Sequence, residues 1–196
     1  MALSEAGTAS LSYFYFDCRD VDKQSRRDLL QSLLIQLSTH SDAFCDILSA
    51  LYATHDEGTR QPLDSDLTQC LKEMLTAPNQ GPIYLIMDAL DECPDTSDAP
   101  STREQVLDLI QDLVRLRLPN LRICITSRPM VDISEALDPL ASQTTSLQDE
   151  YGHSRDIVNF VRSVVHSNER TKRWREEDRK YVIKMLSERA CGMYDR

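Results

Sequence analysis

The sequence predicts an α/β protein with a parallel β-sheet, followed by a purely helical segment. Three observations carry that prediction. Ile83–Met87 (IYLIM) is a short unbroken apolar run that stops at Asp88, the pattern of a strand buried inside a parallel sheet. Leu121–Thr126 (LRICIT) reads as a further strand, and Tyr13–Phe16 (YFYF) is an aromatic run closed by Asp17. Between these strands lie segments with helical periodicity, so right-handed βαβ crossovers and a parallel sheet follow.

After the first strand, Leu29, Leu30, Leu33, Leu34 and Leu37 recur on one face of a 3.6-residue period and predict a helix. Asp20 or Asp22 is placed to cap its start. Ser41 or Asp42 caps a second helix, whose inward face is Phe44, Ile47, Leu48, Leu51 and Tyr52. Thr54–Pro62 (THDEGTRQP) is polar and turn-rich, hence a loop. Leu67, Cys70, Leu71, Met74 and Leu75 form a third helical face, broken by Pro78–Pro82 (PNQGP). Ser101-Thr102-Arg103-Glu104 has capping-box spacing and opens a helix with Val106, Leu107, Ile110, Leu113 and Val114 inward. Thr144–Leu147 reads as a last short strand. Beyond Tyr151 only helices are predicted, over 156–165 and 176–190. The expected organisation is therefore a disordered stretch over 1–11, an α/β core over 12–150, and the start of a helical subdomain over 151–196.

The chain has 196 residues and a formal charge of 22 − 32 = −10. That acidity disfavours nonspecific contact with nucleic acid or anionic membrane, both polyanions. The basic stretch Arg170–Lys180 (RTKRWREEDRK) is interrupted by Glu176, Glu177 and Asp178, and reads as a solvated helix face rather than a nucleic-acid site. No run is apolar for long enough to span a bilayer, and the N-terminus lacks the basic and apolar regions of a secretory signal. The 6 cysteines include no CxxC pair and suit free thiols in a reducing cytoplasm. His40, His55, His153 and His166 are scattered, and surface or capping roles suit them better than metal ligation.

The chemical signal lies in Ile83–Glu92 (IYLIMDALDE). An apolar strand delivers Asp88 to its C-terminal tip, where ligands sit in open α/β sheets, and Asp91 and Glu92 follow within a turn. In a nucleotide-hydrolysing site Asp88 would hold Mg²⁺, and Asp91 and Glu92 would orient or deprotonate a water. Ser127 and Arg128, at the tip of Leu121–Thr126, bring a hydroxyl and a cation to the same end. There the cation could meet a γ-phosphate or pair with the acidic cluster. The bland alternative for all five is a solvated acidic loop closed by an Arg–carboxylate salt bridge.

The pairing of IYLIMDALDEC with ICITSRP, about one helix apart, resembles the Walker B and sensor segments of NACHT-type P-loop NTPases, the STAND group of signal-transducing ATPases. Tyr13–Asp20 (YFYFDCRD) with Leu29–Leu37 is similar to the second strand and helix of fungal NACHT and nephrocystin-like N-terminal modules. Arg155–Val161 (RDIVNFV) and Cys191–Tyr194 (CGMY) resemble the helical segment that follows. The resemblance implies a three-layer parallel sheet. It also implies ATP or GTP with Mg²⁺ as cofactor, with Asp88 as metal ligand, Asp91 and Glu92 as catalytic carboxylates, and Ser127 and Arg128 as nucleotide contacts. The implied setting is cytoplasmic, in an NLR-like switch.

One family element is missing from the sequence. None of Gly7, Gly58, Gly81, Gly152 and Gly192 is followed by Lys, so no GxxxxGK[ST] loop occurs. Only 12 residues precede Tyr13, too few for a further strand and crossover helix. The expectation is a truncated P-loop NTPase-like core missing its first βα unit, binding no nucleotide tightly and hydrolysing none alone. Such a chain would act through protein partners, either an intact NACHT protein or another copy, and not through nucleic acid or membrane. By the family's strand order, Tyr13–Phe16, Ile83–Met87 and Leu121–Thr126 form a contiguous parallel core. One side of Leu121–Thr126 is then open unless Thr144–Leu147 pairs with it.

Overall fold

A computed structural model describes residues 9–95, 100–146, 151–168 and 171–191. The chain divides into two compact units, Met1–Ala141 and Ser142–Arg196. Among its described residues the first holds three strands, β1 (Ser10–Tyr15), β2 (Ile83–Asp88) and β3 (Leu121–Ile125), and five α-helices, α1 (Arg26–Ser38), α2 (Asp42–Thr54), α3 (Asp64–Thr76), α4 (Thr102–Arg115) and α5 (Val131–Leu137).

The strands form one parallel sheet in the order β1-β2-β3. Ser12 lies beside Leu85 and Leu85 beside Ile123. Alternation then gives each strand two faces. Phe14, Ile83, Leu85 and Met87 are buried against Leu29, Leu33, Leu71, Val106 and Leu113 of the helices, and Leu121, Ile123 and Ile125 pack at the margin of that core. The opposite face carries Tyr13, Tyr15, Tyr84, Ile86, Arg122 and Cys124, and it is not covered in the same way: Tyr13 is 43% and Tyr15 54% exposed. Within this unit the architecture is two layers, not the three that the resemblance implied. All its helices share a single core cluster on one side of the sheet.

β1 begins at Ser10, so residues 10 and 11 belong to the sheet rather than to a disordered end. Ser12 is fully buried and its hydroxyl donates to the Leu33 carbonyl at 3.4 Å. The cap of α1 is Ser25, not Asp20 or Asp22. Ser25 Oγ accepts from the Asp28 N–H, and Asp28 accepts from the Ser25 N–H in return, satisfying two orphan donors. Asp20 instead caps the short 3-10 turn Val21–Lys23. Ser41 caps α2, and Ser101 with Glu104 forms the capping box of α4. Thr144–Ser146 is not a strand, and Leu147 lies outside the described residues, as do Gly192, Met193 and Tyr194.

The outer edge of β1 is closed by side chains. The Tyr13 N–H donates to Gln36 Oε1 at 3.0 Å, Gln36 Nε2 donates to the Tyr13 carbonyl at 2.7 Å, and His40 Nε2 lies 2.8 Å from the Leu11 carbonyl. One amide side chain on α1 thus mimics a neighbouring strand.

The second unit contains α6 (Tyr151–Ser167) and α7 (Glu176–Cys191), joined by a 3-10 turn at Thr171–Arg173 and packed together. Lys180 pairs with Glu176 at 3.0 Å. Among the described residues, no helix is long and apolar enough to cross a membrane.

Candidate functional site

The register sets the site. Met87 pairs with Ile125, so Asp88 comes beside Thr126 at the C-terminal end of the sheet. Thr126 ties the two tips together. Its hydroxyl donates to Asp88 Oδ1 and accepts the Ala89 N–H at 3.0 Å. Its own N–H donates to the Met87 carbonyl and its carbonyl accepts the Leu90 N–H, both at 3.0 Å. The sequence marks Thr126 only as a strand end, because its partners are 36 or more positions away along the chain.

After Asp88 the chain turns sharply. Ala89 sits in the left-handed region (φ 55°, ψ 47°), and Leu90–Glu92 forms one 3-10 turn. The left-handed conformation costs a non-glycine residue roughly 1–2 kcal/mol. Ala89→Gly should therefore raise the urea midpoint by the equivalent of up to about 1 kcal/mol, net of glycine's entropy loss. A lowered midpoint would show that the turn is not strained.

The turn faces Asp91 toward β3. The Arg128 N–H donates to Asp91 Oδ1 at 3.0 Å, and Arg128 Nε lies 3.4 Å from Asp91 Oδ2. The Asp91 side chain is only 10% exposed, whereas that of Arg128 is 63% exposed. Glu92 turns the other way and accepts the Cys18 N–H at 3.2 Å, just beyond β1. Ser127 stays local: its hydroxyl donates to the Arg128 carbonyl at 2.8 Å. Asp88, Asp91, Glu92, Ser127 and Arg128 therefore all lie at the C-terminal end of the sheet. Asp91 and Arg128 form a direct pair, and Glu92 is held apart from them by the β1 loop.

Asp17, Cys18 and Glu92 bring three potential metal-ligand atoms within 4.8 Å of one another. Asp17 is already engaged, since Arg19 Nε and Nη2 donate to its two oxygens at 3.0 and 3.2 Å. Those hydrogen bonds hold the Asp17 carboxyl below its usual range. For Mg²⁺, which takes one or two carboxylates and completes its shell with water and phosphate oxygens, Asp88 offers its second oxygen and Asp91 offers none free of Arg128.

The residue that sequence reasoning passed over is Arg103, read only as the third position of a capping box. Its side chain is 7% exposed. Nε donates to the Cys93 carbonyl at 3.0 Å, Nη2 to the Asp91 carbonyl at 3.1 Å, and Nη1 to Asp132 Oδ2 at 3.0 Å. One guanidinium thus fastens the acidic turn to α4 and to the start of α5. Cys93, buried beneath the same turn, donates its Sγ–H to the Gln24 carbonyl at 3.2 Å, and burial pushes its thiol up to about 12. A groove of about 440 Å³ runs along the outer edge of β1, lined by Tyr13, Tyr15, Lys23, Asp28 and Gln36, away from the Asp91–Arg128 pair.

The comparisons with known proteins add one match. The family described as nephrocystin 3, N-terminal, matches residues 2–128, a span that holds all three strands and both tips through Arg128. No curated protein and no solved structure matches. Because the match covers about two thirds of the chain, this protein belongs to the nephrocystin 3 N-terminal family.

Proposed function

We propose that this chain is the acidic-strand and arginine half of a NACHT-type signalling switch, and that on its own it neither binds nucleotide tightly nor hydrolyses it. The observation that carries the reading is the meeting of Asp91 and Arg128 across the tips of two adjacent parallel strands, with Asp88 beside them. In the roles implied by resemblance, Asp88 answers to the metal ligand, Asp91 and Glu92 to the carboxylates that handle water, and Ser127 and Arg128 to the nucleotide contacts. In this chain the three carboxylates are already engaged: Arg128 pairs with Asp91, Thr126 holds Asp88, and the Cys18 N–H holds Glu92. No glycine-rich loop in the sequence supplies the nest of N–H groups and the lysine that offset a triphosphate's charge. The setting of the reading is cytoplasmic, with protein partners and without nucleic acid or membrane contact.

A non-catalytic role is the second reading, in which the chain associates with an intact NACHT protein and dampens it. The half-open sheet face with Tyr13 and Tyr15 favours it. Phosphate release from Mg-ATP and Mg-GTP tests the first reading. The expected rate equals that of buffer. Turnover that is abolished by Glu92→Gln would overturn it.

A further inference from the structure

We infer that α5 is a latch on the acidic turn, and that its seating reaches Asp91 by two routes, through the Arg103 guanidinium and through the backbone of Arg128. The latch regulates the site proposed above, and it rests on that reading for the role of the site.

α5 is a weak element by its own sequence. It has 7 residues, VDISEAL, and its N-cap, Met130, makes no side-chain cap hydrogen bond. Isolated helices shorter than ~12 residues are marginal in water, so contacts with the rest of the unit must hold it. Ile133 is buried, and Ala136 and Leu137 pack partly against the core. Gln111 Nε2 donates to the Ala136 carbonyl at 3.4 Å, and Arg103 Nη1 donates to Asp132 Oδ2 at 3.0 Å. Residues 127–130, which lead into the helix, are all exposed. Elements with so few buried contacts open before the rest of a domain does.

The first route is electrostatic. Among the described residues, Asp132 is the carboxylate that the Arg103 guanidinium meets. Removing the partner of a buried cation leaves an uncompensated charge, which is strongly unfavourable. When α5 unseats, Asp132 leaves with it and the guanidinium follows toward water. The Asp91 and Cys93 carbonyls then lose the donors Nη2 and Nε. The second route is covalent. Arg128 grips the Asp91 carboxylate with its N–H at 3.0 Å and its Nε at 3.4 Å, and only Pro129 and Met130 separate it from α5. The fixed φ of Pro129 leaves little slack between them. Asp91 is thus held at its carbonyl and at its carboxylate by groups that both depend on α5. Seated, α5 keeps Asp91 paired with Arg128. Unseated, it releases the Asp91 carboxylate at the same end of the sheet as Asp88.

Native-state amide exchange of the full chain, read by NMR without nucleotide, tests the latch. The Ser134 and Asp138 N–H groups report α5, and those of Glu92, Cys93 and Arg128 report the turn and its clasp. The two sets should exchange through one opening, with the same urea dependence, and roughly tenfold or more faster than Leu85 in the centre of the sheet. Asp132→Ala, which leaves Ile133 in place, should speed both sets by about tenfold. With Arg103→Met already present, the same substitution should change neither. If Arg103→Met does not fold, the shared opening in the parent chain decides the matter. Turn amides that stay protected while α5 exchanges, an Asp132→Ala effect confined to α5, or an effect that persists in Arg103→Met would overturn the latch. Such a result leaves the nucleotide reading standing, because no nucleotide enters the measurement. Turnover in the phosphate-release assay would overturn that reading and leave the latch intact.

Discussion

Arg103→Met should lower stability by about 3 kcal/mol and the melting temperature by roughly 10 °C, taking ~2–4 °C per kcal/mol for a chain of this size. The loss does not come chiefly from the ion pair, because Asp132 is 42% exposed and rehydrates when its partner goes. It comes from the Asp91 and Cys93 carbonyls, which lose their donors beneath a turn whose Leu90 and Cys93 are fully buried. Each buried acceptor left unpaired costs about 1–3 kcal/mol. Arg103→Lys should fall between the two, since an ammonium cannot span three acceptors with the planar fork of a guanidinium. A urea midpoint for Arg103→Met within error of the parent would mean that the turn holds itself.

Leu85→Ala should cost about 3–5 kcal/mol, whereas Ile86→Ala, one position along the same strand, should cost at most about half as much. Leu85 is fully buried in the centre of the helix-covered face. Ile86 lies on the other face between Tyr13 and Cys124, both of which are exposed. Truncating it leaves little cavity, because water already reaches that side. Equal costs for the two would mean that both faces are packed and that the unit is not two-layered. Denaturant midpoints of the two variants read the difference directly.

Local patterning made much of this legible in the sequence. The run ending at Asp88 is a strand because it is short, apolar and closed by a polar residue, and the run ending at Thr126 is one because its β-branched and apolar residues alternate about Arg122 on the exposed face. A parallel sheet then brings their tips together whatever else happens. Ser101 and Glu104 announced a helix start for the same reason: the signal is contained in four consecutive residues. What the sequence concealed depends on partners far away. Ser12 looks like loop, yet it is buried on a strand because Leu33 offers it an acceptor. Asp20 is as good a cap as Ser25 by residue type, and the short 3-10 turn between them decides which helix each serves. The unbroken apolarity of IYLIM pointed to burial on both faces, but Tyr84 and Ile86 are only half-buried. Apolarity records what a strand tolerates, not what covers it. Arg103 and Thr126 act through residues from three segments, which no window of sequence contains.

Asp91 pairs with Arg128, Thr126 holds Asp88 and the Cys18 N–H holds Glu92, and we propose that these contacts leave no competent nucleotide site in this chain. Calorimetric titration of the full chain with Mg-ATP, and then with Mg-GTP, addresses it most directly. No saturable heat is expected at micromolar nucleotide. A saturable isotherm with a micromolar Kd, weakened by Asp88→Asn, would contradict it.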